Sequence, residues 1–237
     1  MKKAFTFTEI MIALAIVGFI VTMVLPIFFN TYGNKVVSAQ LKKACTQITN
    51  ATKSIMVDER AKDVELLTSD FEDDTGKGFY FTSAGVKTSN AQQGAQYFLE
   101  TYFKHTMSDC GPARSSGGGS GKCVADNYKT PDKTDLGGIP NSFYCIKTTN
   151  DSAICMRFKE GFNKTEVLID VNGSDKPNIT GSDVYVMYIN ADGHLQDLDE
   201  NGENCNKLSS VADENILKYS AGCFHKIVSK SWNMRDE

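Results

Sequence analysis

Oxygen-bearing side chains alternate along Asp197-Leu-Asp199-Glu-Asn201-Gly202-Glu203. Hard divalent cations take carboxylate and carbonyl oxygens, and an EF-hand calcium loop sets its first ligands at alternate positions before a glycine at the sharp turn. Asp197, Asp199 and Asn201 meet that opening and make calcium the candidate cofactor. The pattern fails at its end, where the twelfth position is Leu208 rather than a bidentate glutamate. Asp170-Val-Asn172-Gly-Ser174-Asp175 is a second oxygen-rich run of the same kind. Asx- and Gly-rich runs between strands are also ordinary turn material, because these residues bond their own backbone and accept left-handed conformations.

Nothing else in the chain has the residue types and spacing of a reaction centre. His105, His194 and His225 are scattered without metal-ligand spacing. No nucleophile elbow, zincin or dinucleotide fingerprint occurs. The glycine-rich run between Cys110 and Cys123, CGPARSSGGGSGKC, is not a phosphate loop, since Cys123 follows Lys122 where Ser or Thr is needed. The reading is therefore non-enzymatic. A formal charge of −4 gives no basic face with which to displace counterions from nucleic acid, and no nucleic-acid partner is expected.

The seven cysteines carry the clearest chemistry. They form no C-x-x-C pair of the zinc type, which argues for disulfides in an oxidising compartment. FYCIKTTNDSAICMRF, residues 143–158, alternates like a β-hairpin turning at Thr149-Asn150-Asp151. A three-residue loop there sets Cys145 directly opposite Cys155, at the short Cβ separation a disulfide needs. Cys110 and Cys123 flank the flexible run and are able to close it. Cys205 and Cys223 are then the remaining late pair and Cys45 is left over, although other connectivities stay open.

These residues need elements to hold them. Val37, Leu41, Ala44, Ile48, Ala51 and Ile55 fall at intervals of four and three, the stripe of a helix with one buried face. Residues 61–80 are acidic and turn-rich, an expected exposed connection. AQQGAQYFLETYFKH, residues 91–105, reads as a short amphipathic helix whose aromatics pack on a core. Residues 166–198 read as three strands with turns at Asn172-Gly173 and Asp192-Gly193. Residues 211–221 read as a helix closed by Gly222. Trp232 is expected to pack back on the head or to lie at a tip.

The remaining stretch is N-terminal. From Ile10 to Phe29 no side chain is charged, a length that matches the hydrocarbon core of a membrane. Lys2 and Lys3 precede it, yet the run is too long for a secretory signal and lacks a small-residue cleavage site at its LPIFFN end. Glu9 stands at its edge. A carboxylate there is either a cap on the helix, favoured by the positive N-terminal dipole, or it awaits a partner.

The segment K-K-A-F-T-F-T-E followed by an uninterrupted apolar helix resembles the N-terminus of type IV pilins and type II secretion pseudopilins. The resemblance implies cleavage by a prepilin peptidase between Ala4 and Phe5 and N-methylation of Phe5. Ala4 departs from the glycine more usual before that cut. Pro26 is also similar to the family, which often has a helix-loosening proline at this depth. The new α-amino group of Phe5 would meet Glu9 of a neighbouring subunit and set axial register, as a lone polar group does in a coiled coil. Residues 166–198 look more loosely like the C-terminal sheet of pseudopilin-like proteins.

The expectation is therefore an α+β, pilin-like fold: a long N-terminal helix, membrane half plus amphipathic half, packed on a small antiparallel β-sheet head domain. Residues 1–4 are the leader, 5–60 the helix with 10–29 transmembrane, and 61–237 the globular head. The expected function is that of a structural subunit of a type IV pilus-like or type II secretion pseudopilus filament. Expected partners are other pilin subunits, the prepilin peptidase, an assembly platform with its ATPase, and the bacterial cytoplasmic membrane, with the head outside the cytoplasm. The alternative is a membrane-tethered extracytoplasmic binding module for adhesion or for ligand or DNA capture.

Overall fold

A computed structural model describes residues 6–58, 79–81, 86–88, 91–111, 122–159, 164–189, 193–210, 212 and 214–232. A helix, α1 (Phe7–Asp58), opens the chain. A small hairpin follows, β1 (Phe79–Phe81) and β2 (Val86–Thr88), and then α2 (Ala91–Tyr102). The central sheet is built from β3 (His105–Ser108), β6 (Tyr144–Thr148), β7 (Ala153–Lys159), β8 (Lys164–Asp170), β9 (Val184–Ile189) and β10 (Leu195–Asp197). A second small hairpin, β4 (Tyr128–Lys129) with β5 (Asp135–Gly137), lies between β3 and β6 in sequence. Two short helices, α3 (Asn215–Ser220) and α4 (Cys223–Ser229), end the described chain.

The six strands lie in the order β10-β9-β8-β7-β6-β3, every neighbouring pair antiparallel. Their sequences, YCIKT, AICMRFK, KTEVLID and VYVMYI, are close to continuous apolar runs, the mark of strands covered on both faces. Alternation then splits each strand between two cores. Tyr144, Ile146, Ile154, Met156, Val167, Ile169, Tyr185 and Met187 face one core with Leu41, Ile48 and Ile55 of α1, Phe98 and Leu99 of α2, and Phe224 of α4. Cys145, Ala153, Cys155, Leu168, Val184 and Val186 face the other, with Val124, Tyr128, Ile139, Phe143 and α3 residues Ile216 and Leu217.

The molecule is thus three layers, helices on one face of the sheet and the 110–143 segment with α3 on the other. The expected fold is corrected in two respects. The sheet is not a small head resting on one helix but a six-stranded slab buried on both sides. Nor is the expected membrane-spanning half over 10–29 found among the described residues, where no helix is long and apolar enough to cross a membrane. The described apolar side chains at the start of α1 run only over residues 7–23, a rise of about 26 Å against the ~30 Å of a hydrocarbon core. The side chains of 24–32, Pro26 included, lie outside the described set.

The hairpin register is the one its sequence dictates. Cys145 pairs with Cys155, Ile146 with Ile154 and Lys147 with Ala153. The turn closes through Asp151, which adopts φ 66°. Asp is among the few non-glycine residues that accept that region. Disulfides join Cys110 to Cys123, Cys145 to Cys155 and Cys205 to Cys223, and Cys45 is a free, buried thiol on α1. Trp232 packs back onto the helical layer, its ring edge-on to Phe224 with centroids 6.1 Å apart.

Candidate functional site

Three places bear on function: the start of α1, the loop after β10, and the N-terminal half of α1 as a surface. At the helix start, Thr6 and Glu9 form a reciprocal cap. The backbone N–H and the hydroxyl of Thr6 each donate to Glu9 Oε2 at 2.8 Å, and the Glu9 N–H reaches back to Thr6 Oγ1 at 3.3 Å. This is a capping box, with two otherwise orphaned N–H groups satisfied at once. The Thr6 backbone and hydroxyl bonds hold the Glu9 carboxyl below its ordinary range, so it is a carboxylate at neutral pH. Within one chain, then, Glu9 acts as the cap that the sequence offered as one of two readings. Ala4 and Phe5 lie outside the described residues. Thr6 is the participant that sequence reasoning passed over, although the spacing Thr6-x-x-Glu9 before an apolar run is its signature.

Beyond the cap, the two halves of α1 differ sharply in burial. Phe7 is 79% exposed, Leu14 63% and Phe19 63%, and every described residue from 6 to 23 is exposed. In the second half Leu41, Ala44, Ile48, Ala51 and Ile55 are buried against the sheet, as their spacing predicts. Lys43 adds a link from this half to the β6–β7 turn, donating to Asn150 Oδ1 at 3.0 Å.

The loop after β10 brings Asp197 and Asp199 together but turns their oxygens on the backbone. Asp197 Oδ1 accepts the N–H groups of Gly222 at 2.6 Å and Asp199 at 3.1 Å, and its Oδ2 accepts that of His225 at 2.7 Å. Gly222 is the N-cap of α4, so Asp197 serves as a borrowed cap for that helix. Asp199 Oδ1 accepts the Asn201 N–H at 3.1 Å, and Oδ2 accepts the backbone and side-chain N–H of Asn204 at 3.0 and 2.9 Å. Burial pushes the Asp197 carboxyl up, partly offset by the Gly222 and His225 bonds. For Asp199, burial works the same way but the Asn204 and Asn201 bonds outweigh it and the carboxyl is lowered. The Cys205–Cys223 disulfide ties the same loop to α4. The alternation of acids that suggested a calcium loop here serves turn and cap geometry. Among the described residues no group of three or more His, Cys, Asp and Glu side chains converges on a common point.

The arrangement comprises a capped helix start, a long exposed apolar stretch beside it, and a disulfide-braced sandwich against which the other half of the same helix packs. No family model, no curated protein and no solved structure matches this chain.

Proposed function

We propose that the chain is a structural subunit of a type IV pilus-like or type II secretion pseudopilus filament, joined to its neighbours through the first half of α1. The observation that supports this reading is the contrast along one helix. A stretch bearing Phe7, Ile10, Met11, Leu14, Val17, Phe19 and Ile20 stands in solvent, while the continuation of the same helix buries Leu41, Ala44, Ile48, Ala51 and Ile55. An apolar face of that extent on a single chain marks an interaction surface. Burying each such large side chain contributes about 1.5–3 kcal/mol, enough collectively to drive polymerisation.

The segment K-K-A-F-T-F-T-E supplies the rest of the reading. A prepilin peptidase would cut between Ala4 and Phe5, and the freed Phe5 amine would bring a positive charge to the Glu9 carboxylate of the next subunit. Glu9 is then held by Thr6 in the free chain and shared with an amine in the filament. The three disulfides favour an oxidising compartment for the sandwich.

The test combines mass spectrometry of the N-terminus with electron microscopy of sheared surface or membrane fractions. The expected product begins at methylated Phe5 and is found in fibres, and Glu9→Ala abolishes the fibres. An intact Met1–Ala4 leader in cells that contain the peptidase, together with normal assembly of Glu9→Ala, would overturn it.

A further inference from the structure

Two carboxyl groups are buried behind the sheet, and their surroundings differ. Asp170 ends β8 and is 0% exposed; Asp183 precedes β9 and is 1% exposed. Asp183 is held as an anion would be, its two oxygens taking the N–H groups of Asn178 and Ile179 at 2.6 Å each. Asp170 has no such cradle. It lies on the face of β8 that carries Leu168 into the rear core, and its register partners across the ladder are Ala153 and Val184. The titratable groups that face it are Tyr128 of β4 and Asp183. Among the described residues no Lys, Arg or His forms an ion pair with either acid.

The hydrogen bonds at Asp170 locate a proton. Tyr128 Oη accepts the Ala125 N–H at 3.2 Å, and its own hydroxyl donates to Asp170 Oδ2. Asp170 Oδ1 is buried and no donor completes a bond to it. A carboxylate oxygen sealed from water, with no cation beside it and a second acid nearby, is a costly group to bury, and such a group neutralises instead. As the O–H of a carboxylic acid, Oδ1 needs no donor. Burial pushes the Asp170 carboxyl well up and the Asp183 charge adds to this; the Tyr128 hydroxyl and the N–H groups of Asn172 and Gly173 pull the other way without cancelling it. Burial raises Asp183 too, and its bonds from Ile179 and Asn178 offset part of the rise.

The contact at stake docks one element on another. Tyr128 is 0% exposed and belongs to the β4–β5 hairpin. The hairpin's next residue, Lys129, donates its N–H to the Asn178 carbonyl and accepts the Thr180 N–H, both at 2.9 Å. We propose that Asp170 is a buried carboxylic acid whose proton latches the β4–β5 hairpin onto the sheet, and that release of this proton in alkali loosens the hairpin, an acid-favoured switch independent of the filament reading. Losing the proton sets a second anion near Asp183 in an enclosed layer, and water reaches it only if the hairpin gives way. Because folded Asp170 holds its proton more tightly than the unfolded chain does, its contribution to stability is complete below the unfolded-state value of about 3.9. It falls away as pH rises from there through the folded value.

The test is infrared spectroscopy of the full, disulfide-bonded chain, paired with denaturant titration and amide hydrogen exchange from about pH 4 upward. Wild type is compared with Asp170→Asn, which keeps a carbonyl for Tyr128 and puts amide hydrogens in place of the acid O–H. At neutral pH the wild-type chain should show the carbonyl band of a protonated carboxylic acid that Asp170→Asn lacks. The folding constants of the two chains should be closest near about pH 4 and then part by close to tenfold per pH unit in the variant's favour, the slope of one bound proton. Tyr128→Phe removes the donor to Oδ2, so its acid band should persist to higher pH than in wild type. In alkali the Lys129 and Thr180 amides should exchange faster in wild type than in Asp170→Asn at the same pH. A neutral-pH spectrum with no band that Asp170→Asn removes would overturn the switch. So would a stability gap that does not widen with pH, or equal exchange at those amides in the two chains in alkali.

Discussion

Arg157 Nε stands 2.7 Å from Glu166 Oε2, directly across the β7–β8 ladder, with both side chains buried. The same guanidinium reaches Glu214, just before α3, through Nη1 at 2.9 Å and Nη2 at 2.8 Å, and lies 4.5 Å from the Phe143 ring centroid. One side chain thus staples the sheet to the layer behind it. Removing one partner of a buried pair leaves the other charge unpaired, at a cost of about 3–5 kcal/mol. Arg157→Ala is expected to lose that amount in denaturant titration. Arg157→Met with Glu166→Gln should lose clearly less, because no buried anion is then stranded at position 166.

Gly173 is held where no side chain fits. Its φ is +66°, and a Cβ there would lie 2.7 Å from the Asp151 carbonyl and 3.0 Å from that of Cys123. Both contacts are backbone, so neither yields by a rotamer change. A non-glycine residue in this conformation costs of order 1–3 kcal/mol before any clash is counted. Gly173→Ala is expected to lower the melting temperature, and Gly33→Ala, at an open position on α1, to leave it unchanged or slightly raised.

Cys45 should be silent to thiol reagents. Burial on α1 pushes its thiol up to about 12, so almost no thiolate exists at pH 8. Ellman's reagent should find no reactive thiol in the native chain and one per chain after unfolding in guanidinium. The raised value also sets a sign with pH. The group's contribution to stability is complete below the unfolded-state value of about 8.5. It is lost as pH climbs through about 12, so the alkaline limb of the stability profile should flatten in Cys45→Ala.

The Cys145–Cys155 bridge joins paired strands within a short hairpin and is buried on the rear face of the sheet. Constraint of a loop of this size contributes about 2–4 kcal/mol. The double variant Cys145→Ala/Cys155→Ala should unfold at lower denaturant by that margin. Mild reductant should open Cys205–Cys223 first, since Cys205 is only half-buried while Cys145 and Cys155 are fully enclosed.

Much of the sandwich was legible because local pattern and packing agree. The 143–158 hairpin declared its register through alternation and a three-residue turn, and that register alone brings Cys145 to Cys155. The stripe Val37 to Ile55 declared the covered half of α1. What could not be read depends on distant chain returning to one place. Arg157 meets Glu214 only because α3 folds across the sheet, and Asp170 meets Asp183 only once the 171–183 turn closes. The acids at 197–201 show the same limit: alternate carboxylates suit cation ligands and turns alike, and that Asp197 also caps a neighbouring helix follows only from the position of α4. The membrane length of the first apolar run was likewise a property of sequence that the described helix does not reproduce.

The central claim rests on the start of α1. Its most direct test is a cryo-electron microscopy reconstruction of fibres assembled from the processed chain, read at Phe5 and Glu9. The account predicts the Phe5 amine of one subunit within hydrogen-bonding distance of Glu9 of the next, with the apolar side chains of residues 7–23 covered by neighbouring copies. A reconstruction in which Glu9 remains bonded only to its own Thr6, with that face still open to solvent, would contradict it.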